Sequence, residues 1–205
     1  MHARLAPHRV PERLGCKTEE IRKQLPGHTT MQYRQATARR VQTIITGKRT
    51  MRKLKIFIAG AKNLRQQRLS MKALTNDLNA IYINEGVSIS MSSYENFGER
   101  QSAYDRFIEN EADMVIFIID GYVGARTEEE LRLSSRLYKE KGKPEIIIFM
   151  HSFTKRTDEI DYAESLINSL TEKYYVEYTN DEDLLAKAKE RIVTVELTIA
   201  FAFSA

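Results

Sequence analysis

Apolar runs alternate with amphipathic stretches along most of this chain. From Lys55 to Ala59 it is almost continuously apolar and β-branched, which predicts a strand buried on both faces of a parallel sheet. Leu69, Ala73, Leu78, Ile81 and Tyr82 recur at helical spacing within 64–84, and Asn84, Glu85 and Gly86 form a stop signal. Val87, Ile89 and Met91 then alternate with Ser88, Ser90 and Ser92, the period of a strand with one wetter face, nearer a sheet edge.

Tyr104, Phe107 and Ile108 give an apolar face to a helix over about 99–110, and Ala112 to Ile119 reads as a second central strand. After a loop at 120–126, Leu131, Leu133, Leu137 and Tyr138 mark a helix to about Lys141, closed by Gly142 with Pro144 beyond it. Glu145 to Met150 predicts strand four. A helix over about 158–172, a short strand from Tyr174 to Tyr178 and a helix from Asp181 complete the pattern. Five strands alternating with five helices imply right-handed crossovers, a five-stranded parallel sheet covered on both faces, and a three-layer flavodoxin-like α/β fold.

The overall charge of +4 comes from one end of the chain. Residues 1–50 hold 11 Lys/Arg against 3 Asp/Glu, whereas residues 51–205 hold 21 against 25. The expected organisation is therefore a basic, flexible extension over 1–50, an α/β domain over 51–180, and a C-terminal helix with an apolar tail over 181–205. Met51 opens MRKLKIFIAG in the manner of a natural domain start, so the leader reads as an upstream extension or flexible arm. It is Arg-rich like a transit peptide, but contains no serine and carries Pro7, Pro11 and Pro26.

The acidic balance of the domain argues against nucleic-acid binding except through the basic leader. Cys16 is the only cysteine, which fits a cytoplasmic setting without disulfides. No apolar run approaches a membrane span. The β-branched tail VTVELTIAFAFSA, 193–205, points to a protein partner or a further domain docking there.

Several chemistries lack their motif. There is no GxxxxGK[ST] loop, no GxGxxG after the first strand, and no acidic pair there such as a phosphoacceptor receiver needs. His151, at the end of strand four, has no second histidine nearby, so no metal site is expected.

In an open parallel sheet the ligand crevice forms at the carboxyl ends of the strands. After strand one, Gly60, Ala61, Lys62 and Asn63 allow close main-chain approach to a ligand or simply a tight turn. After strand three, Asp120, Gly121 and Gly124 precede Thr127, a helix-capping residue type, and Glu128, Glu129 and Glu130. Successive helical residues diverge by about 100°, so only one or two of these carboxylates can face the crevice. Glu130, beside the apolar Leu131, is preferred, with Glu128 and Glu129 as alternates. Tyr94 and Phe97 after strand two and Tyr122 after strand three are candidates for stacking on a base, or for packing. Arg65 and Arg68 are candidates for a diphosphate, or for ion pairs.

The segments IFIAGAKNLRQQR at 56–68 and GERQSAYDRFIENEADMVIFIIDGYVGARTEEEL at 98–131 resemble the TIR-like superfamily, and the resemblance covers about residues 54–180. This superfamily is related in fold to nucleoside deoxyribosyltransferases, whose Asp-Gly and Thr-x-x-Glu pattern is matched by Asp120, Gly121, Thr127 and Glu130. The small residues that follow the family's glutamate are replaced here by Arg132 and Leu133.

The resemblance implies cleavage of the nicotinamide–ribose bond of NAD+, taken as substrate with no cofactor, and Glu130 at the ribose. It also implies bacterial antiphage or toxin-like signalling, and activation by homo-oligomeric assembly through the TIR-like domain. Two other readings stay open: a nucleoside or nucleotide deoxyribosyltransferase-like hydrolase, and a non-catalytic TIR-like interaction module.

Overall fold

The computed structural model describes residues 51–98, 100–171 and 175–202, with side chains to residue 195. The expected leader, Cys16 and the end of the apolar tail lie outside this described part. The strands are β1 (Arg52–Gly60), β2 (Val87–Ser93), β3 (Met114–Ile119), β4 (Glu145–His151) and β5 (Val176–Tyr178). The helices are α1 (Arg65–Tyr82), α2 (Gln101–Asn110), α3 (Ala125–Lys141), α4 (Asp158–Leu170) and α5 (Asp181–Ala202). All strand pairings are parallel, in the order β2-β1-β3-β4-β5. The chain is thus an α/β protein of the flavodoxin-like three-layer type.

Burial follows the apolar pattern. Every residue of β3 is buried, as its unbroken apolar run requires between two covered faces. β2, with its serines, is an edge strand whose burial largely alternates. Two cores result. Phe57, Val115, Phe117 and Ile148 pack with Tyr104 and Ile108 of α2, Leu131 of α3 and Ile167 of α4 on one face. Leu54, Ile56, Ile58 and Ile116 pack with Met71 and Leu78 of α1 and with Leu184, Ala188 and Ile192 of α5 on the other.

From β1 the chain passes through α1 to β2 on one side, then returns through α2 to β3 on the other side of β1. The order therefore reverses between β1 and β3. The helices that follow them, α1 and α3, pack on opposite faces of the sheet, and this is where such sheets open a crevice.

β1 begins earlier than expected, at Arg52, and β3 later, at Met114, and four further features differ from the sequence expectation. A 3-10 turn, Tyr94–Phe97, separates β2 from α2, closed by a reciprocal capping box between Ser93 and Asn96. β5 begins at Val176, with residues 172–174 outside the described part. α5 continues as helix through Ala202, and Val193 and Val195 are partly buried against the second core, so part of the apolar tail is covered by the domain itself. Finally, α3 starts at Ala125 with Gly124 as its N-cap, so Thr127 lies inside the first turn and caps nothing. Thr127 is buried.

Candidate functional site

A cleft of about 420 Å³ opens at the β1/β3 switch point, in the range that holds a nucleoside-sized ligand. Its floor on one side is the exit of β1, Gly60 and Ala61. A Cβ on Gly60 would lie 3.0 Å from the Ile118 carbonyl oxygen, so the close approach of β1 to β3 here favours glycine. On the other side the cleft is walled by Gly124 and the first turn of α3, where Arg126, Thr127 and Glu130 line it. Tyr94, Tyr104 and Tyr122 complete the lining with three rings, Tyr122 being 57% exposed at the rim.

The helical start at Ala125 decides the fate of the three glutamates. Glu130 is turned into the cleft wall and is only 4% exposed. Glu128 points to α4: it accepts 2.7 and 2.9 Å bonds from Arg132 and a 2.6 Å bond from the Tyr162 hydroxyl. Glu129 faces solvent. Burial strips water from the Glu130 carboxyl and, with the nearby charge of Asp105, pushes its pKa up to about 8, while Arg68 and Arg126 act in the opposite direction. A carboxyl titrating near neutrality in a cleft is the type of group that acid–base and nucleophilic sites use.

Tyr104 belongs to the same cluster. Its ring stacks on Phe57 at 5.9 Å, and its hydroxyl donates to the Gln101 amide oxygen, whose nitrogen donates to Asp105 at 3.0 Å. Burial, then the charge of Glu130, pushes the pKa of Tyr104 up and keeps the phenol neutral. Asp105 is itself shifted upward by burial.

Behind the β1 exit lies Arg68 of α1, with no exposed surface. One guanidinium nitrogen donates to the carbonyls of Gly60 and Ala61 at 3.0 and 2.6 Å. The other two donate to Glu95 at 3.1 and 2.7 Å, and one of these also reaches the Tyr94 hydroxyl at 2.8 Å. The guanidinium carbon sits 4.5 Å from the Tyr94 ring centroid. Burial opposes ionisation of Glu95, but bonds from Arg68 and Ser93 and the Arg68 charge outweigh it and hold the carboxyl at about 2. Arg68 is thus a buried structural ion pair, fully engaged, and is not free to grip a diphosphate.

Other expected site residues lie elsewhere. Arg65 and Asn63 are exposed and do not line the cleft. Phe97 is a packing residue, its ring 5.3 Å from Phe107 and 6.3 Å from Phe57. Asp120 and Gly121 face a neighbouring open hollow between the β3–α3 and β4–α4 loops, with Tyr122 shared between the two depressions. Gly121 adopts φ of 68°, and a Cβ there would meet Phe153 at 2.8 Å. His151 sits near that second hollow, 3.8 Å from Asp120 and flanked by Phe153 and Tyr178. No metal-binding cluster occurs among the described residues. No helix among them is long and apolar enough to cross a membrane.

Tyr104 and Arg126 are cleft residues to which the sequence pattern assigns no role at a site, whereas Lys62 belongs to the expected β1 loop and brings its side chain to the cleft as well. Arg126 had a usable signal, since it precedes Glu130 by four residues and must share its helical face. Tyr104 had none, because its spacing is that of any core position.

No protein-family model matches the chain, and no curated protein matches it.

Proposed function

We propose that this protein is a TIR-like NAD+ glycohydrolase in which Glu130 acts at the ribose. The observation that carries the reading is a buried carboxyl in the wall of a switch-point cleft lined also by the glycine exit of β1 and three tyrosine rings. Nicotinamide and adenine stack on such rings, and the glycine exit of β1 lets the sugar approach the main chain.

The chemistry needs a single carboxylate. Breaking the C1′–N bond sends its electron pair to the ring nitrogen, so the cationic pyridinium leaves as neutral nicotinamide without an acid. The cationic C1′ left behind is stabilised by ionised Glu130 or trapped as its ester. Water then adds at C1′ and gives up a proton, and where the ester has formed its C1′–O bond breaks to return the Glu130 carboxylate. Because Glu130 titrates near 8, the cationic nicotinamide ring favours the ionised form on binding, and kcat/KM in the free enzyme's range rises with pH toward about 8. A cytoplasmic setting, activation by self-association and a part in antiphage or toxin-like signalling belong to the same reading.

Nicotinamide release from NAD+ by the full chain, wild type against Glu130→Gln, tests it. The variant is expected to lose roughly two to three orders of magnitude in kcat. Equal turnover by both proteins removes Glu130 from the reaction, and selective hydrolysis of deoxynucleosides transfers the site to the deoxyribosyltransferase-like reading.

A further inference from the structure

The charge lining the cleft is opposite in sign to that of the domain around it. Residues 51–205 carry 21 basic against 25 acidic side chains, yet the charged residues lining the cleft are Lys62, Arg126 and Glu130. Glu130 is buried in the wall, so the exposed charged side chains of the cleft are the two cations. Lys62 stands on the turn after β1 and Arg126 on the first turn of α3, and both are exposed. Arg126 also interacts with the Tyr104 hydroxyl inside the cleft, whereas Arg132 and Arg156 are held by carboxylates outside it.

This arrangement is unexpected for a site that binds a cationic pyridinium ring. A guanidinium one helical turn from Glu130 shares its face and opposes positive charge developing at the ribose. The conflict disappears when the substrate itself brings negative charge between the two cations. A planar guanidinium suits phosphate oxygens, and the amino end of α3 adds its dipole in the same direction.

We infer that Arg126 and Lys62 form a phosphate grip across the cleft, which makes the site select phosphorylated nucleotides and dinucleotides over uncharged or cationic nucleosides. The inference rests on the glycosidic reading for the positive charge that develops at the ribose. It adds a substrate requirement that the carboxyl alone does not set. Arg126 also acts on Glu130 electrostatically, so a phosphate that neutralises Arg126 leaves the carboxyl less biased toward ionisation while the bound cationic ring restores that bias.

Equilibrium binding of ADP-ribose to the full chain by calorimetry tests the grip without any turnover, so that failure to cleave NAD+ and failure of the grip are read separately. Arg126→Ala and Lys62→Ala are each expected to weaken binding tenfold or more. Arg126→Lys, which keeps the charge, is expected to weaken it less than either, and added salt is expected to weaken binding to the wild type. Both positions are exposed, and circular dichroism checks that the variants fold. Absence of ADP-ribose binding to the wild type, affinity unchanged in both alanine variants, or loss as large in Arg126→Lys as in Arg126→Ala would overturn the inference.

Discussion

At the scale of the residue, Glu130 places a cost on the fold. Its folded pKa of about 8 lies above the ordinary 4.5 of a glutamate, because burial disfavours the ionised form. Below 4.5 the carboxyl is neutral in both folded and unfolded chains, and its favourable contribution is fully present. As pH rises from 4.5 the unfolded chain ionises first and is increasingly favoured, until the loss is complete above 8. The shift corresponds to a loss on the order of several kcal/mol. Glu130→Gln, which carries no charge at any pH, is therefore expected to melt at a higher temperature than the wild type at pH 9. The gap should shrink toward zero near pH 4.5, and thermal melts across this range check the slope. A pH-independent difference would mean that Glu130 ionises freely in the fold.

At the scale of the element, the turn between β1 and α1 is held by Arg68. Its contacts tie the carbonyls of Gly60 and Ala61 to Tyr94 and Glu95 after β2, joining two strand exits that border the cleft. Arg68→Met leaves Glu95 part-buried without its cation and two carbonyls without a donor. The expected cost is about 3–5 kcal/mol by urea unfolding. Replacing both Arg68 and Glu95 by apolar residues is expected to recover part of that loss, since no lone charge remains. Additive losses in the double variant would show that the pair does not act as a unit. Sequence periodicity revealed α1 because Leu69, Leu78 and Tyr82 repeat at helical spacing. It did not reveal that Arg68, on the same helix, turns inward, because an arginine reads as surface until a part-buried carboxylate and two carbonyls are brought to it.

At the scale of the whole molecule, the sheet order creates the cleft and the charge distribution gives it a sign. A ligand that binds the folded chain alone raises its stability by mass action. At about 100 times its Kd, ADP-ribose is expected to contribute roughly 2.7 kcal/mol, a rise in Tm of about 5–10 °C for a domain of this size. The rise should be smaller in Arg126→Ala at the same concentration. A thermal shift assay over a concentration series checks both, and an equal shift in wild type and variant would place the ligand elsewhere.

The apolar runs by themselves determined the alternation of five strands and five helices, because strand and helix periods are local properties of neighbouring residues. They also marked β2 as an edge strand and placed Glu130 among three candidate carboxylates after β3. Only the tertiary structure decided which glutamate turns inward, since that depends on α3 starting at Ala125 with α4 lying beside it to occupy Glu128. Phe97 likewise went to the core and Arg65 to solvent, while Tyr104 and Arg126 came to the cleft. The physical reason is the same in each case: periodicity reports the face a residue shares, whereas crossing chains distant in sequence decide what that face meets.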